Sequence, residues 1–307
     1  MSQSPQPFRV KTISEFHRLK GLPPPENPLI SVIDYGAIAC KEEVNAQNWV
    51  FDFYQISVKR GINAKLKYGQ QAYDFDEGVM FFISPNQIFG IEPNRLPVPK
   101  RSGWMLLIHP DFLWNSSLAK NIKNYDYFGY SVNEALFLSE KEEGILQAIV
   151  QNIQQECQTN TDKFSQNIIV SHIETLLNYS ERFYQRQFFT RKKSNHQILE
   201  RLENLLNNRL NDNYLINHGL PNVQSIADEL NMSPNYLSAV LKTLTGQSTQ
   251  QHIHEKIIEK AKEMLSTTHL SVNEIAFQLG FEHSQSFNKL FKNKTEMSPL
   301  EFRAKFN

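Results

Sequence analysis

Between His283 and Lys294 the chain carries Ser284, Gln285, Asn288, Lys289 and Lys292 and no carboxylate. A carboxamide can donate to and accept from one base edge at the same time. A hydroxyl and a neutral imidazole each have a donor and an acceptor as well, and an ammonium pairs with a phosphate oxygen. Together these groups suit hydrogen bonding and ion pairing with a polyanion, with no acid present to repel it. The plainer alternative is a solvated helix face, and short segments of this kind do arise by chance.

Helical spacing is what would gather these groups on one side. Phe287, Leu290 and Phe291 recur at the period of an amphipathic helix over 284–294, so they face a core and the polar set faces out. A shorter helix over 272–279 buries Ile275, Ala276 and Leu279, with Ala276 small enough for close approach. Gly280 follows it as the residue that tolerates a left-handed turn. Two helices so joined make a helix-turn-helix.

The pattern occurs twice, because IADELNMSPNYLSAVLKTLTGQS at 226–248 matches IAFQLGFEHSQSFNKLFKNKTEMS at 275–298. Ile226, Ala227 and Leu230 correspond to Ile275, Ala276 and Leu279. After one extra residue in the second turn, Leu237, Val240, Leu241, Lys242, Thr245 and Ser248 correspond to Phe287, Leu290, Phe291, Lys292, Thr295 and Ser298. Chance does not duplicate a whole motif. By this correspondence the first copy should present Asn235, Tyr236, Ser238, Ala239 and Lys242 outward.

Between the copies, Ile253, Ile257, Ala261, Met264 and Leu265 are in helical phase, which predicts one linking helix over 250–265, about 16 residues and ~24 Å long. Two outward helices held on such a rod about one duplex turn apart, ~34 Å, can enter successive major grooves of double-stranded DNA. Lys242 and Lys292 would then neutralise phosphates, and Asn235, Gln285 and Asn288 would read bases.

Other chemistry finds little material. The sequence holds no nucleophile elbow and no phosphate loop, so no catalytic residue is assigned and no enzyme is expected. Residues 29–128 contain a single histidine, His109, too few for a metal-binding barrel. His252 and His254 are two apart, which turns them to different faces of a helix, so no metal and no cofactor are expected. Cys40 and Cys157 form no paired-spacing motif, which points to a reduced compartment rather than a disulfide framework.

Charge is less helpful to a nucleic-acid reading. The chain has 32 basic and 32 acidic residues, and over 196–307 eleven basic side chains face twelve carboxylates. What favours DNA is distribution: the acids lie on supporting and linking helices, so non-specific affinity should be modest and salt-sensitive. No apolar run of about 18 residues and no apolar signal core occurs, so a cytoplasmic protein with no membrane partner is expected.

The first 28 residues are polar and proline-rich and predict a frayed arm with a short helix near 13–19. Short branched and aromatic runs follow at 29–33, 49–58, 63–68, 71–75, 79–83, 87–91 and 103–108, separated by turn residues, the pattern of a small antiparallel barrel or sandwich. Such a barrel can enclose one small molecule. Phe53, Tyr54, Tyr73, Phe75, Phe82 and Trp104 lie in these runs, with core packing the leading reading for each, and effector-binding residues stay unknown. YDYFGYS at 125–131 is a turn-rich exit. Helices are expected over 140–159 and 163–189, a basic linker over 185–195, and a first helix of the last domain over 196–208.

Two helix-turn-helix motifs on a common helix, ending in LGFEHSQSFNKLFKNKTEMSPLEFR, resemble the AraC/XylS family of transcription regulators over about the last third of the chain. The resemblance rests on Ile275, Ala276, Gly280, Phe281, Phe287, Phe291, Lys292, Ser298, Pro299 and Arg303. In the first copy it rests on Ile226, Ala227, Leu230, Ser233, Leu237, Lys242, Thr245 and Gly246. One position departs: family members usually have glycine where this chain has Glu296, and a left-handed glutamate costs about 1 kcal/mol.

The resemblance implies an α+β chain with an effector-sensing, cupin-like antiparallel β-barrel over 1–139 and an all-α DNA-binding domain over 196–307. A helical hairpin over 140–190 either covers the barrel or pairs two copies into a homodimer. A small-molecule effector and RNA polymerase are the further implied partners. A protein-binding module, or a cupin-type enzyme with an accessory tail, is the alternative.

Overall fold

The computed structural model describes residues 7–38, 48–61, 67–68, 71–72, 78–90, 101–131, 134–159, 162–190, 192–211 and 214–305. They fall into two compact units, Met1–Gln187 and Phe188–Asn307. The class is α+β, with the sheets in the first unit and a helical second unit.

In chain order the first unit runs β1 (Phe8–Val10), α1 (Ile13–Leu19), β2 (Ile30–Asp34), β3 (Asn48–Phe51), β4 (Tyr54–Arg60), β5 (Lys67–Tyr68), β6 (Gln71–Ala72) and β7 (Gly78–Ile83). It continues through β8 (Ile88–Gly90), β9 (Ser102–Ile108), α2 (Leu118–Asn121), β10 (Leu136–Leu138), α3 (Glu140–Gln158) and α4 (Ser165–Thr190). Five strands form an antiparallel sheet in the order β10-β7-β4-β9-β2, and β1-β3-β8 form a second sheet. β5 and β6 pair with each other. A closed barrel is not formed among the described residues.

Both faces of the five-stranded sheet are covered, which is why β7, β9 and β10 are apolar almost throughout, although β4 alternates Tyr54, Ile56 and Val58 with Gln55, Ser57 and Lys59. On one face Ile33, Ile83, Met105 and Leu107 join Trp49, Phe51 and Phe89 of the second sheet and Ile13 and Phe16 of α1 in one core cluster. On the other, Phe82 packs against Tyr127 at 4.4 Å and Phe128 at 5.4 Å between ring centroids, and the Ser180 hydroxyl of α4, which donates to the Leu176 carbonyl, lies 3.8 Å from the Met80 sulfur. Ser139 and Glu142 form the capping box that starts α3. Arg60 holds Glu143 and Arg186 holds Glu142, each through two guanidinium nitrogens.

Residues 7–28 carry the expected short helix, α1 at Ile13–Leu19, and otherwise correct the expectation of a frayed arm. Phe8–Val10 pair in parallel with Trp49–Phe51, and Val10, Ile13 and Phe16 are among the most buried residues of the unit. A three-residue strand whose partner lies forty residues away leaves no local periodic signal. The run at 49–58 is two strands, β3 and β4, in different sheets. Tyr73, Phe75, Cys40 and most of the runs at 63–68 and 71–75 lie outside the described residues, whereas Phe53, Tyr54, Phe82 and Trp104 are buried.

The second unit holds α5 (Lys192–Asn211), α6 (Tyr214–His218), α7 (Val223–Leu230), α8 (Pro234–Thr245), α9 (Thr249–Thr267), α10 (Val272–Gln278), α11 (Ser284–Thr295) and α12 (Pro299–Arg303). The expected basic linker is helical on both sides of Arg191, since α4 runs to Thr190 and α5 starts at Lys192. No helix among the described residues is long and apolar enough to cross a membrane.

Candidate nucleic-acid interface

α9 is the element on which both motifs are mounted. Ser248 and Gln251 close a capping box at its start, and it continues for 19 residues, about 28 Å. Ile253, Ile257, Ile258, Ala261 and Leu265 are buried along it, and it packs against α5, α8, α10, α11 and α12. The predicted rod is therefore present, longer than its apolar pattern because Ser266 and Thr267 extend it.

In the second copy α10 and α11 meet at a turn in which Gly280 has φ 82°. Freedom of backbone angle is only half of what glycine supplies here. A Cβ at Gly280 would lie 2.9 Å from the Gly219 carbonyl carbon and 3.0 Å from the Leu215 oxygen, so the turn is also where the chain after α6 passes closest. The inward face of α11 is aromatic, with Phe287 and Phe291 fully buried and rings of Phe281 and Phe302 packed on them edge-on. Arg303 fixes α12 by donating to the carbonyls of Leu265 and Leu270 at 3.2 and 2.6 Å.

The outward face then carries His283, Gln285, Asn288, Lys289 and Lys292 exposed and Ser284 half-buried. Among the described residues none of the Gln285, Asn288, Lys289 and Lys292 side chains is bonded to another residue. Ser286 and Asn293 are exposed on the same helix; both are polar positions off the apolar phase and the spacing could have flagged them. A surface groove of about 670 Å³ runs beside α11, lined by Asn288, Lys289 and Lys292 together with Ser271, Asn273 and Arg303. Of the neighbouring carboxylates, Glu282 and Glu296 stand exposed at the two ends of α11, whereas Glu274 and Glu301 each accept from the backbone N–H at their own helix caps, and that bond holds both carboxyls below their usual range. Glu255 faces Lys294 at 3.7 Å.

The first copy is built alike but presents less. Ser233 caps α8 ahead of Pro234, and Gly246 ends it at φ 78°. Asn235 and Lys242 are exposed, as expected, and Ala239 is half-buried. Ser238 is also half-buried, its hydroxyl 3.0 Å from that of the buried Thr249. Tyr236 corrects the expectation outright: it is 1 % exposed, with its ring 5.4 Å from that of Phe188. It sits four residues before the core position Val240, so a large ring there turns onto the neighbouring helix, whereas Ser286 at the matching place in α11 stays in solvent.

His252 bonds Thr245 and His254 bonds Gln250, and burial, the larger cause for each, lowers both imidazoles below the usual histidine range. Arg209 donates to Ser225 and Glu229, fixing α5 to α7.

Residues 226–305 match the family described as a helix-turn-helix domain. The chain is 33% identical over 84 residues to an uncharacterized HTH-type transcriptional regulator, YijO, of Escherichia coli K12, covering 27% of this chain and 30% of that protein. It is 35% identical over 81 residues to the Msm operon regulatory protein of Streptococcus mutans, covering 26% and 29%. The chain thus spans less than a third of the length of these curated relatives. Among solved structures, the C-terminal domain of the two-component response regulator yesN from Fusobacterium nucleatum is 31% identical, with 34% of this chain and 95% of that one covered and a TM-score of 0.30. Over residues 226–305 the chain is therefore similar to helix-turn-helix transcriptional regulators of the AraC/XylS kind.

Proposed function

We propose that the chain is a sequence-specific DNA-binding transcription regulator of the cytoplasm, controlled by a small molecule bound in its first unit. The observation that carries the reading is the acid-free, unbonded outer face of α11, repeated in smaller form on α8 and mounted on the shared helix α9. Lys242 and Lys292 contact phosphates and position the protein; Asn235, Gln285 and Asn288 read base edges, with His283, Ser284, Lys289, Ser238 and Ala239 at the rim of the contact. The relatives' names as transcriptional and operon regulators support the same reading.

The first unit, in this proposal, is a cupin-like sensing domain over 1–139. The hairpin of α3 and α4 over 140–190 pairs two copies, and RNA polymerase is the protein partner at the promoter. The test is a gel-shift screen of the full chain against fragments of its own upstream region, followed by capture of bound genomic fragments. A retarded fragment that competes specifically supports the reading. Equal weak retention of every fragment at low salt points instead to a protein-binding module.

A further inference from the structure

The geometry points to a binding site for a small organic carboxylate at one end of the first unit's two-sheet core, centred on Lys59 and walled by the rings of Tyr35 and Phe81. This deepens the effector-sensing reading above and rests on it for its purpose.

Along β4, alternate residues share the side of the sheet that meets the core cluster: Gln55 stands opposite Leu107 and Ser57 opposite Met105, both members of that cluster. Branched apolar residues would fill these places in an ordinary core. The chain has instead Gln55 and Ser57, 3 % and 0 % exposed and bonded to one another, and then Lys59 at the end of the same stripe.

The Lys59 ammonium lies 5.2 Å from the centre of the Tyr35 ring and 5.4 Å from that of Phe81. Arg101 approaches the same Tyr35 ring at 6.0 Å, and Lys20 stands 4.5 Å over Trp49. Among the described residues Lys59 faces ring surfaces and like charges and has no carboxylate partner. Burial first, then Lys20 and Arg101, bring its ammonium down to about 8.

A half-buried cation without a counter-ion disfavours its own charged form. A ligand carboxylate supplies the counter-ion through a charge-assisted hydrogen bond, and the ring faces receive the ligand's apolar body. One ammonium between aromatic walls favours a monoanion with an apolar tail over a strongly hydrated phosphate, and the surrounding cations exclude a metal ion.

The experiment uses the full chain, with Lys59→Met as the charge-removing variant of similar shape and Lys59→Gln as the second. Melting is followed at pH 7 and above pH 9, alone and with phenylacetate, hexanoate, the two corresponding amides, and inorganic phosphate. Without ligand, Lys59→Met should melt about 2–4 °C above the wild type at pH 7. The unfolded chain keeps this proton to about 10.5 while the folded chain releases it near 8. Wild-type stability therefore rises between those values, and the margin should close as pH climbs through them.

At pH 7 a carboxylate should raise the wild-type melting point and its amide should not. Either variant should weaken carboxylate binding on the order of 10-fold or more. The site is overturned if both variants melt below the wild type at every pH, if neither carboxylate shifts the melt, if amide or phosphate acts as well as carboxylate, or if the variants respond like the wild type. Duplex affinity separates this from the reading it rests on. Carboxylate binding at Lys59 with unchanged DNA affinity keeps the site and removes effector control through it. DNA affinity that answers to another ligand, unaltered in Lys59→Met, keeps effector control and removes the site.

Discussion

Replacing Glu296 by glycine should stabilise the second unit by about 1 kcal/mol. Glu296 ends α11 at φ 61° and ψ 6°, its N–H bonded to the Lys292 carbonyl at 2.8 Å. A side chain in this left-handed conformation costs roughly 1–2 kcal/mol, of which glycine recovers part and gives back part as chain entropy. The carboxylate also stands at the negative end of the helix dipole, adverse by a few tenths of a kcal/mol at an exposed site. The substitution removes no contact, because the exposed Glu296 side chain has no hydrogen bond or ion pair among the described residues.

Gly246 provides the reciprocal: it ends α8 at φ 78°, and no atom lies within 4 Å of where its Cβ would stand, so Gly246→Ala should cost about 1 kcal/mol from backbone strain alone. Thermal and urea unfolding of the full chain, read on the transition of the second unit, would show Glu296→Gly raised by about 4 °C. Glu296→Ala keeps the strain and removes the charge, so it should gain only a few tenths of a kcal/mol. Equal stability of the glycine and alanine variants, or a neutral Gly246→Ala, would refute backbone strain as the source.

Gly280→Ala should be far more damaging, about 3 kcal/mol, since a Cβ there meets backbone at 2.9 Å as well as a left-handed φ; unfolding midpoints and lost duplex binding would report it. Tyr236→Ala should destabilise by about 3–5 kcal/mol as a core truncation, whereas its exposed neighbour Asn235→Ala should change stability by less than about 0.5 kcal/mol and weaken DNA binding; comparable melting of the two would put Tyr236 back on the surface. Lys292→Ala should lower the salt slope of binding by about 1 with base preference kept, and Gln285→Ala should relax preference at one position. Fluorescence anisotropy on a mutated operator series over a range of salt separates these roles, and uniform loss for both would contradict them.

Much of the second unit is legible in the sequence because its signals are local and repeated. The apolar period of α10 and α11 and the glycine between them act within a few residues, so the bounds of those two helices agree to about one residue, whereas α5 starts four residues before and ends three after the expected 196–208. Tyr236 escapes because correspondence between copies carries position but not surroundings: only the first copy has Phe188 beside it. The close pass of Gly219 and Gly280 escapes for the same reason, as sixty residues separate the partners.

In the first unit the apolar strands are legible and their partners are not. Nothing near Phe8–Val10 announces a parallel pairing with Trp49–Phe51. The basic stretch that reads as a linker is helical partly because Arg186 is committed to Glu142 and the Phe137 carbonyl. Lys59 is likewise silent in the sequence, since only folding sets it against Tyr35 and Phe81.

The most direct test is a high-resolution footprint of the full chain on a duplex selected from its own genome, taken at low ionic strength. Two protected major-groove segments on one face, centred about one helical turn or ~10 base pairs apart, are expected, with Gln285→Ala and Asn235→Ala each affecting a different segment. One short segment insensitive to Asn235, or no preference for any duplex, would contradict the claim that the paired motifs on α9 read successive grooves.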